Sequence, residues 1–565
     1  MKKFPLYEGY RQLRDMKDFL SFVAETHQDK PALSYRIKPL DKESQVITFK
    51  DLEKLVKAYA TECYAKGMSG KHCILLGKLT LEWALTYFAL MSIGAVVIPL
   101  DKEWLKEDLA ATIAQSDASY LFCDSDMSEK VAHILENTEL DTPIYLQNDG
   151  SEDCVHAMIK AGQAKRDEGN ADYENAEIDP NALALMVYTS GTTGQGKGVM
   201  LSQKNLFSDI WGALQILKAG EKSIAVLPPH HTFGSTIGVL ALLYYGAHVY
   251  LSSGIRYLPN EMKAEKPDFM ILVPLYLETF ARKIKTALHE KGVEKLILGM
   301  MKVTRVFQKL GIHSVTKLYR SVMEAFGGNL KLVACGGAPL SEDIIAFFDA
   351  LGVKILNGYG ITECSPLISC NRNCNRVKHS VGDYLPCDTV KIESPNENGE
   401  GEICVKGPNV MLGYYKNPTA TAEAIDQDGF FHTGDMGKMD KNGHLFITGR
   451  IKNLIILSNG KNVYPEEIET ELGTIKGVLD VVVYEGVSRR GIAHNAIVAE
   501  FFMDEDYLKK KNITNPAAYL APYITEYNKT AVQYKKIGIT KIRTEEFPKN
   551  TLRKILRFKL DKTID

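Results

Sequence analysis

The 565-residue chain has no paired cysteine framework, almost no net charge and no run that reads as one membrane-crossing helix. Its ten cysteines are scattered. The N-terminal stretch MKKFPLYEGYRQLRD has no apolar signal core, so the chain reads as cytoplasmic with reduced thiols. Cys370 and Cys374 are close-spaced, with Cys364 and His379 nearby, but no second close pair supplies the four convergent ligands of a zinc site. Lys plus Arg is 68 and Asp plus Glu is 70, giving −2, so there is no global pull toward nucleic acid. Anion binding must come from local sites. Trp83–Leu100 has no charge and is long enough to span a bilayer. Gly94 divides it, however, and Val96-Val97-Ile98-Pro99 reads as a strand, so the segment predicts buried helix, turn and strand. The uncharged stretch from Ser223 to Ile255 holds two prolines, three histidines and four glycines, and reads as several short elements.

What is present is alternation. Helical patterns such as Asp51–Lys66 and Leu81–Ser92 alternate with strands His72–Leu76 and Ala95–Leu100, as in a mostly parallel α/β sheet. Gln147 to Asp179 is polar and reads as a connector; alternation resumes from Ala182 to about Ile368. From Thr389 to Ile447, short β runs separated by NENGEG, DQDG and DKNG predict a small antiparallel unit. After Gly449-Arg450 comes α+β sequence: a strand at Leu454–Leu457, a helix near Pro465, strands near Val478–Tyr484 and Ala496–Phe502, and a final helix–strand–helix. That is enough for a separate small domain.

The chemistry concentrates in Tyr188-Thr189-Ser190-Gly191-Thr192-Thr193-Gly194-Gln-Gly196-Lys197-Gly198. The strand Ala182–Val187 feeds a loop whose glycines, amides and hydroxyls suit phosphate oxygens, with Lys197 adding charge. Gly191-x4-Gly196-Lys197 follows the Walker pattern, but Gly198 stands where Ser or Thr should hold Mg²⁺ and the following Val-Met-Leu is strand-like. A P-loop ATPase is the weaker reading.

Further motifs follow in order: Leu227-Pro-Pro-His-His231-Thr-Phe-Gly234, Gly336-Gly337-Ala338-Pro339, Asn357-Gly358-Tyr359-Gly360-Ile-Thr362-Glu363, Phe431-His-Thr-Gly-Asp435, Gly449-Arg450-Ile-Lys452, Tyr464-Pro-Glu-Glu-Ile-Glu469 and Pro548-x5-Lys554. Together they resemble the AMP-forming acyl-adenylating enzymes, which include acyl-CoA synthetases, firefly luciferase and peptide-synthetase adenylation domains. The resemblance spans essentially the whole chain and is nearest to the long-chain fatty acyl-CoA synthetases. Gly196 replaces the family's usual Pro and implies a more flexible loop; Arg553 replaces a frequent Gly before the lysine.

The resemblance implies an α/β fold. A large N-terminal domain of stacked α/β sheets plus a small β unit (1–450) precedes a small mobile α+β C-terminal domain (451–565). It implies ATP, Mg²⁺ and CoA as co-substrate. Thr189, Ser190, Gly191, Thr192, Thr193, Gly194 and Lys197 would cradle the β- and γ-phosphates. Glu363 would bind Mg²⁺, and Thr362 the α-phosphate. Tyr359 would offer adenine a flat face within Asn357–Gly360, with Gly336, Gly337, Ala338 and Pro339 opposite. Asp435 and Arg450 would hold the ribose. Lys554 would bridge the substrate carboxylate and the α-phosphate, and His231 would orient substrate at the acyl-pocket mouth. Lys452 would be the hinge, and Gly460 and Lys461 would face CoA after rotation.

Gly360 stands where acetate-activating relatives place a Trp that closes the acyl pocket, which points to a longer acid. Arg282 to Arg320 carries ten Lys or Arg and two Glu among apolar residues, as in an insertion of the long-chain enzymes. Such a basic amphipathic segment suits peripheral contact with the inner membrane face. The expected substrate is a medium- or long-chain fatty acid. The open alternatives are transfer to an acyl carrier protein on a partner chain (none follows Asp565), a non-fatty acid such as an aryl acid, a P-loop ATPase and a non-catalytic scaffold.

Overall fold

A computed structural model describes residues 5–147, 150–189, 196–309, 319–457, 462–487, 493–549 and 555–564. Local signals place the first elements. Thr48 caps the helix Phe49–Ala65 by accepting from the Asp51 amide, and the helix buries Leu52, Val56, Tyr59 and Cys63 along one face. Thr80 caps Leu81–Ser92 in the same way. That helix is buried all round, and the strand Val96–Leu100 after it is buried throughout. The uncharged stretch is therefore core. Among the described residues no helix is long and apolar enough to cross a membrane.

Three sheets carry most of the chain, in the α/β class expected. A seven-stranded sheet runs, in spatial order, Gly413–Tyr414, Lys197–Ser202, Leu183–Thr189, Val96–Leu100, His72–Leu76, Ala118–Cys123, Pro143–Tyr145. A four-stranded sheet holds Gln45–Thr48, Pro31–Tyr35, His248–Leu251 and Lys222–Ala225. A nine-stranded sheet begins with three parallel strands, Phe269–Leu272, Leu332–Cys335 and Lys354–Gly360. From Lys354–Gly360 onward its pairing is antiparallel. The antiparallel region expected around 389–447 is present, but its strands are hydrogen-bonded on to this sheet through Gly382–Tyr384. Turn-rich sequence marked its hairpins but could not show which edge they would extend.

Two further expectations change. The connector from Gln147 to Asp179 contains a helix, Val155–Asp167, packed on Phe49–Ala65. Only Val155, Met158 and Gly162 are buried in it, so its apolar periodicity is weak. A Cβ at Gly162 would overlap the Ala58 carbonyl oxygen, so glycine lets the two helices meet. The final helix is, among the described residues, a single 3₁₀ turn, Arg557–Lys559. The tail there bridges Val487 to Thr563, and Leu560 and Ile564 pack against Tyr484 and Val498.

Beyond Arg450, Val478–Val487 pairs antiparallel with Ala493–Met503, which pairs parallel with Ile537–Arg543. Helices Pro465–Leu472 and Pro516–Thr530 cover this sheet, with an apolar cluster of their own that includes Ile468, Val483, Phe501 and Leu520.

Candidate active site

The phosphate-loop candidate closes an antiparallel hairpin. Thr189 pairs with Lys197 and Tyr188 with Gly198. The helix Gln203–Ile216 starts only after the second strand ends. A P-loop opens directly into a helix, so this hairpin removes the Walker alternative. Ser190, Gly191, Thr192, Thr193 and Gly194 lie outside the described residues, as do Gly460, Lys461 and Lys554. At Gly196 a Cβ would stand 2.9 Å from the Thr189 carbonyl oxygen.

Lys197 holds its ammonium 4.7 Å from the centroid of the Tyr414 ring. The Tyr414 hydroxyl donates to Glu363 Oε1 at 2.9 Å. Burial and the Glu363 carboxylate both push the Tyr414 phenol upward, so it stays a donor. Glu363 sits with Thr362 in a 3₁₀ turn after the strand Lys354–Gly360, and its carbonyl accepts from the Met411 amide at 2.8 Å. Lys197, Tyr414 and Glu363 thus form one row. Tyr414 was not among the expected residues. Its place beside Lys197 is set by the pairing of Gly413–Tyr414 with Val199 and Met200, which no motif spacing reveals.

A second constellation centres on Asp435, which is 4% exposed. The Tyr359 hydroxyl donates to Asp435 Oδ2 at 2.7 Å. Arg450 donates through Nε to Oδ1 and through Nη2 to Oδ2 at 3.5 Å. Asp435 and Arg450 are register partners on adjacent strands. Burial opposes the Arg450 charge, yet the Asp435 carboxylate more than offsets it and the net shift is upward. A carboxylate offers about four lone-pair sites, so Asp435 keeps acceptor capacity toward the cleft.

The other motifs converge here. A Cβ at Gly336 would lie 3.3 Å from both the Gly358 carbonyl oxygen and the Phe233 ring, so three motifs meet at one point. Gly337, Ala338 and Pro339 are exposed. His231 is half-buried, its ring centroid 4.3 Å from that of His230. His230 Nε2 lies 3.8 Å from Asp101 Oδ2. A π-helix, Phe233–Ala241, begins directly after this turn. Lys452 is exposed in the 3₁₀ turn that follows Arg450.

Gly360 carries a different lesson from the one expected. A Cβ there would overlap the Pro366 carbonyl oxygen. Close backbone approach requires glycine, so the missing side chain does not by itself open a tunnel. Arg282 falls in the helix Pro274–Glu290, followed by Glu294–Lys309, so the described part of the basic segment up to Lys309 is mostly helical. Cys370 is buried in its strand and Cys374 is exposed.

A family model described as AMP-binding enzyme matches residues 20–415. Long-chain-fatty-acid–CoA ligase 1 of Cavia porcellus is 29% identical over 507 residues, 82% of this chain and 71% of that protein. Long-chain-fatty-acid–CoA ligase 5 of Rattus norvegicus is 30% identical over 450 residues, 74% of this chain and 65% of that protein. In the second case the match spans just under two thirds of the relative. ATP-bound MatB from Rhodopseudomonas palustris shares the fold with a TM-score of 0.74 at 22% identity, covering 96% of this chain and 97% of that one. With residues 20–415 matched by that family model, the chain belongs to the AMP-binding enzyme family.

Proposed function

We propose that the protein is an ATP-dependent, AMP-forming ligase. It activates a medium- or long-chain fatty acid as acyl-AMP and passes the acyl group to CoA. The observation that carries this reading is the pair of constellations, Lys197–Tyr414–Glu363 and Tyr359–Asp435–Arg450.

A carboxylate is a poor acyl donor because its oxygen is a poor leaving group. Attack of that oxygen on the α-phosphate of ATP releases pyrophosphate and leaves AMP on the acyl carbon. AMP then departs when the CoA sulfur attacks. The protein's task is to hold polyanions and neutralise charge as it develops. In this reading Asp435 accepts from the ribose hydroxyls, with Arg450 and Tyr359 fixing its orientation. Tyr359 also faces the adenine opposite Gly336–Pro339. Lys197 and the loop before it hold the β- and γ-phosphates, and Thr362 contacts the α-phosphate. Glu363 offers a half-buried, hydrogen-bonded carboxylate, the hard oxygen donor that Mg²⁺ prefers. Glu363 would hold a magnesium ion there, whose positive charge would offset the negative charge of the pyrophosphate. Lys554 bridges the acid and the α-phosphate, and His231 orients the acid. The segment after Arg450 turns about Lys452, withdrawing Lys554 and presenting Gly460 and Lys461 to CoA.

The fatty-acid assignment is supported by the relatives named above and by the basic helices after Arg282, which also suit a peripheral membrane contact. It draws no support from Gly360. The test is product identity: ATP, Mg²⁺ and CoA with straight-chain acids from acetate to palmitate and with aryl acids such as benzoate. AMP and acyl-CoA should form only with the longer acids. Acyl-AMP without thioester would point to another acceptor, such as a carrier protein. AMP formed only with aryl or short acids would overturn the substrate, and ADP would overturn the reaction.

A further inference from the structure

The turn bearing Glu363 is held from below by groups that touch no part of the cleft. Asp209, on the helix Gln203–Ile216, is 0% exposed. Its Oδ1 accepts from the Leu367 amide at 3.0 Å and from Asn409 Nδ2 at 3.5 Å. Asn409, also fully buried, donates to the Leu367 carbonyl at 3.1 Å and to Asp388 Oδ2 at 3.2 Å. The Asn409 carbonyl accepts from the Ser365 hydroxyl at 2.7 Å. Two residues on, the Met411 amide binds the Glu363 carbonyl. The same helix reaches the strap a second time, because Asn205 Nδ2 donates to the Pro408 and Val410 carbonyls at 2.7 and 2.9 Å.

The layout has a direction. The helix follows immediately after the strand that starts with Lys197. One strand–helix unit therefore carries Lys197 on its strand and, through Asp209 on its helix and Asn409, grips both flanks of the Glu363 turn. Ser365, next to that turn, holds a backbone φ of 72°. A non-glycine residue pays for that conformation, so neighbouring contacts must hold it. A wholly apolar contact could fill the same space, but it would not fix the turn's amide and carbonyl directions. The polar network does.

We propose that Asp209, acting through Asn409, is a positioning residue that sets Glu363 for magnesium-bound ATP. This rests on the nucleotide reading above. Burial, with Asp388 close by, pushes the Asp209 carboxyl far above its ordinary range, so it is held neutral and acts as an acceptor of the Leu367 amide. A neutral amide of the same shape can replace it in that role.

The experiment is calorimetric binding of ATP to the full chain, without acid or CoA, once with Mg²⁺ and once with EDTA. Melting temperatures are recorded for every variant. Loss of a residue that orients a metal ligand typically weakens metal-dependent binding about 10- to 100-fold. Asp209→Ala should therefore bind ATP about 10-fold more weakly with Mg²⁺ and at wild-type strength in EDTA. Asp209→Asn should restore the Mg²⁺ response. Ser365→Ala removes one hydroxyl from the same network and should move binding in the same direction by less; it carries the test if Asp209→Ala does not fold. Wild-type affinity in Asp209→Ala or Ser365→Ala, or equal weakening with and without Mg²⁺, would overturn the positioning role. Failure of the wild-type protein to bind ATP, or binding indifferent to Mg²⁺, would instead overturn the nucleotide reading.

Discussion

The two constellations of the cleft are built by different means. Tyr359, Asp435 and Arg450 all come from strands of the nine-stranded sheet, and Asp435 faces Arg450 as its register partner. Lys197, Tyr414 and Glu363 cross between sheets: the first two belong to the seven-stranded sheet and the third to a turn hanging from the nine-stranded one. In the first group, strand register sets Asp435 against Arg450, and Tyr359 joins them from the same sheet across two intervening strands. The second depends on the strap from 408 to 414, which crosses from one sheet to the other. The Asp435 end should therefore tolerate distant changes, while the Glu363 end should respond to buried groups that never meet the substrate.

The largest expected effect tests the Asp435 end. Asp435→Ala leaves the buried Tyr359 hydroxyl and the Arg450 guanidinium without their acceptor. Hydrogen bonds to charged groups are worth about 1.5–3 kcal/mol, so ATP affinity should fall roughly 10- to 150-fold. The loss should be the same with and without Mg²⁺ in a calorimetric titration. A loss that appears only with Mg²⁺ would break the distinction between the two ends.

Next comes the bend that leads into the Glu363 turn. Gly360→Ala forces a methyl group onto the Pro366 carbonyl, and overpacking of this kind costs about 1–3 kcal/mol. Thermal melting should show a clear drop. The relative rates across acids should not move, and a shift toward short acids would restore a pocket role for Gly360.

Tyr414→Phe sharpens the other end. It keeps the ring under Lys197 and removes only the hydrogen bond to Glu363. The expected cost is about 1.5 kcal/mol, near 10-fold in ATP affinity, seen with Mg²⁺ and absent in EDTA. An equal loss in both conditions would mean that Tyr414 serves the phosphates and not Glu363.

The smallest effect per step is a pH dependence below the Glu363 turn. Burial raises the Asp388 carboxyl from 3.8 to about 7, only partly opposed by hydrogen bonds with Asn409 and Cys387. Its folded pKa lies above its unfolded value, so between about pH 4 and pH 7 the folded state holds the extra proton. Its contribution is most favourable below pH 4 and is lost as pH rises through that window, by about 1.4 kcal/mol per unit. Asp388→Asn should flatten this part of the stability profile in urea melts from pH 4.5 to 7.5. A slope identical to wild type would place the proton elsewhere.

The sequence was most legible where one element carries its own signal. Leu81–Ser92 and His72–Leu76 are found where their apolar patterns put them, and the ordered motifs named every member of the two constellations except Tyr414. What escaped was tertiary. The antiparallel strands after residue 389 extend an existing sheet, and an edge has no local signature. The helix Val155–Asp167 buries too few side chains to show a period. Tyr414 acquires its meaning from a two-residue strand pairing, and Gly360 from a carbonyl that folds back onto it. Asp209 looks like an ordinary polar residue of a helix until Leu367 arrives across 158 positions.

The most direct test of the central claim is acid-dependent exchange of labelled pyrophosphate into ATP, run without CoA. The account predicts exchange with a medium- or long-chain fatty acid, none without acid, and loss of exchange in Lys554→Ala. Accumulation of ADP and phosphate, with no exchange for any acid, would contradict it.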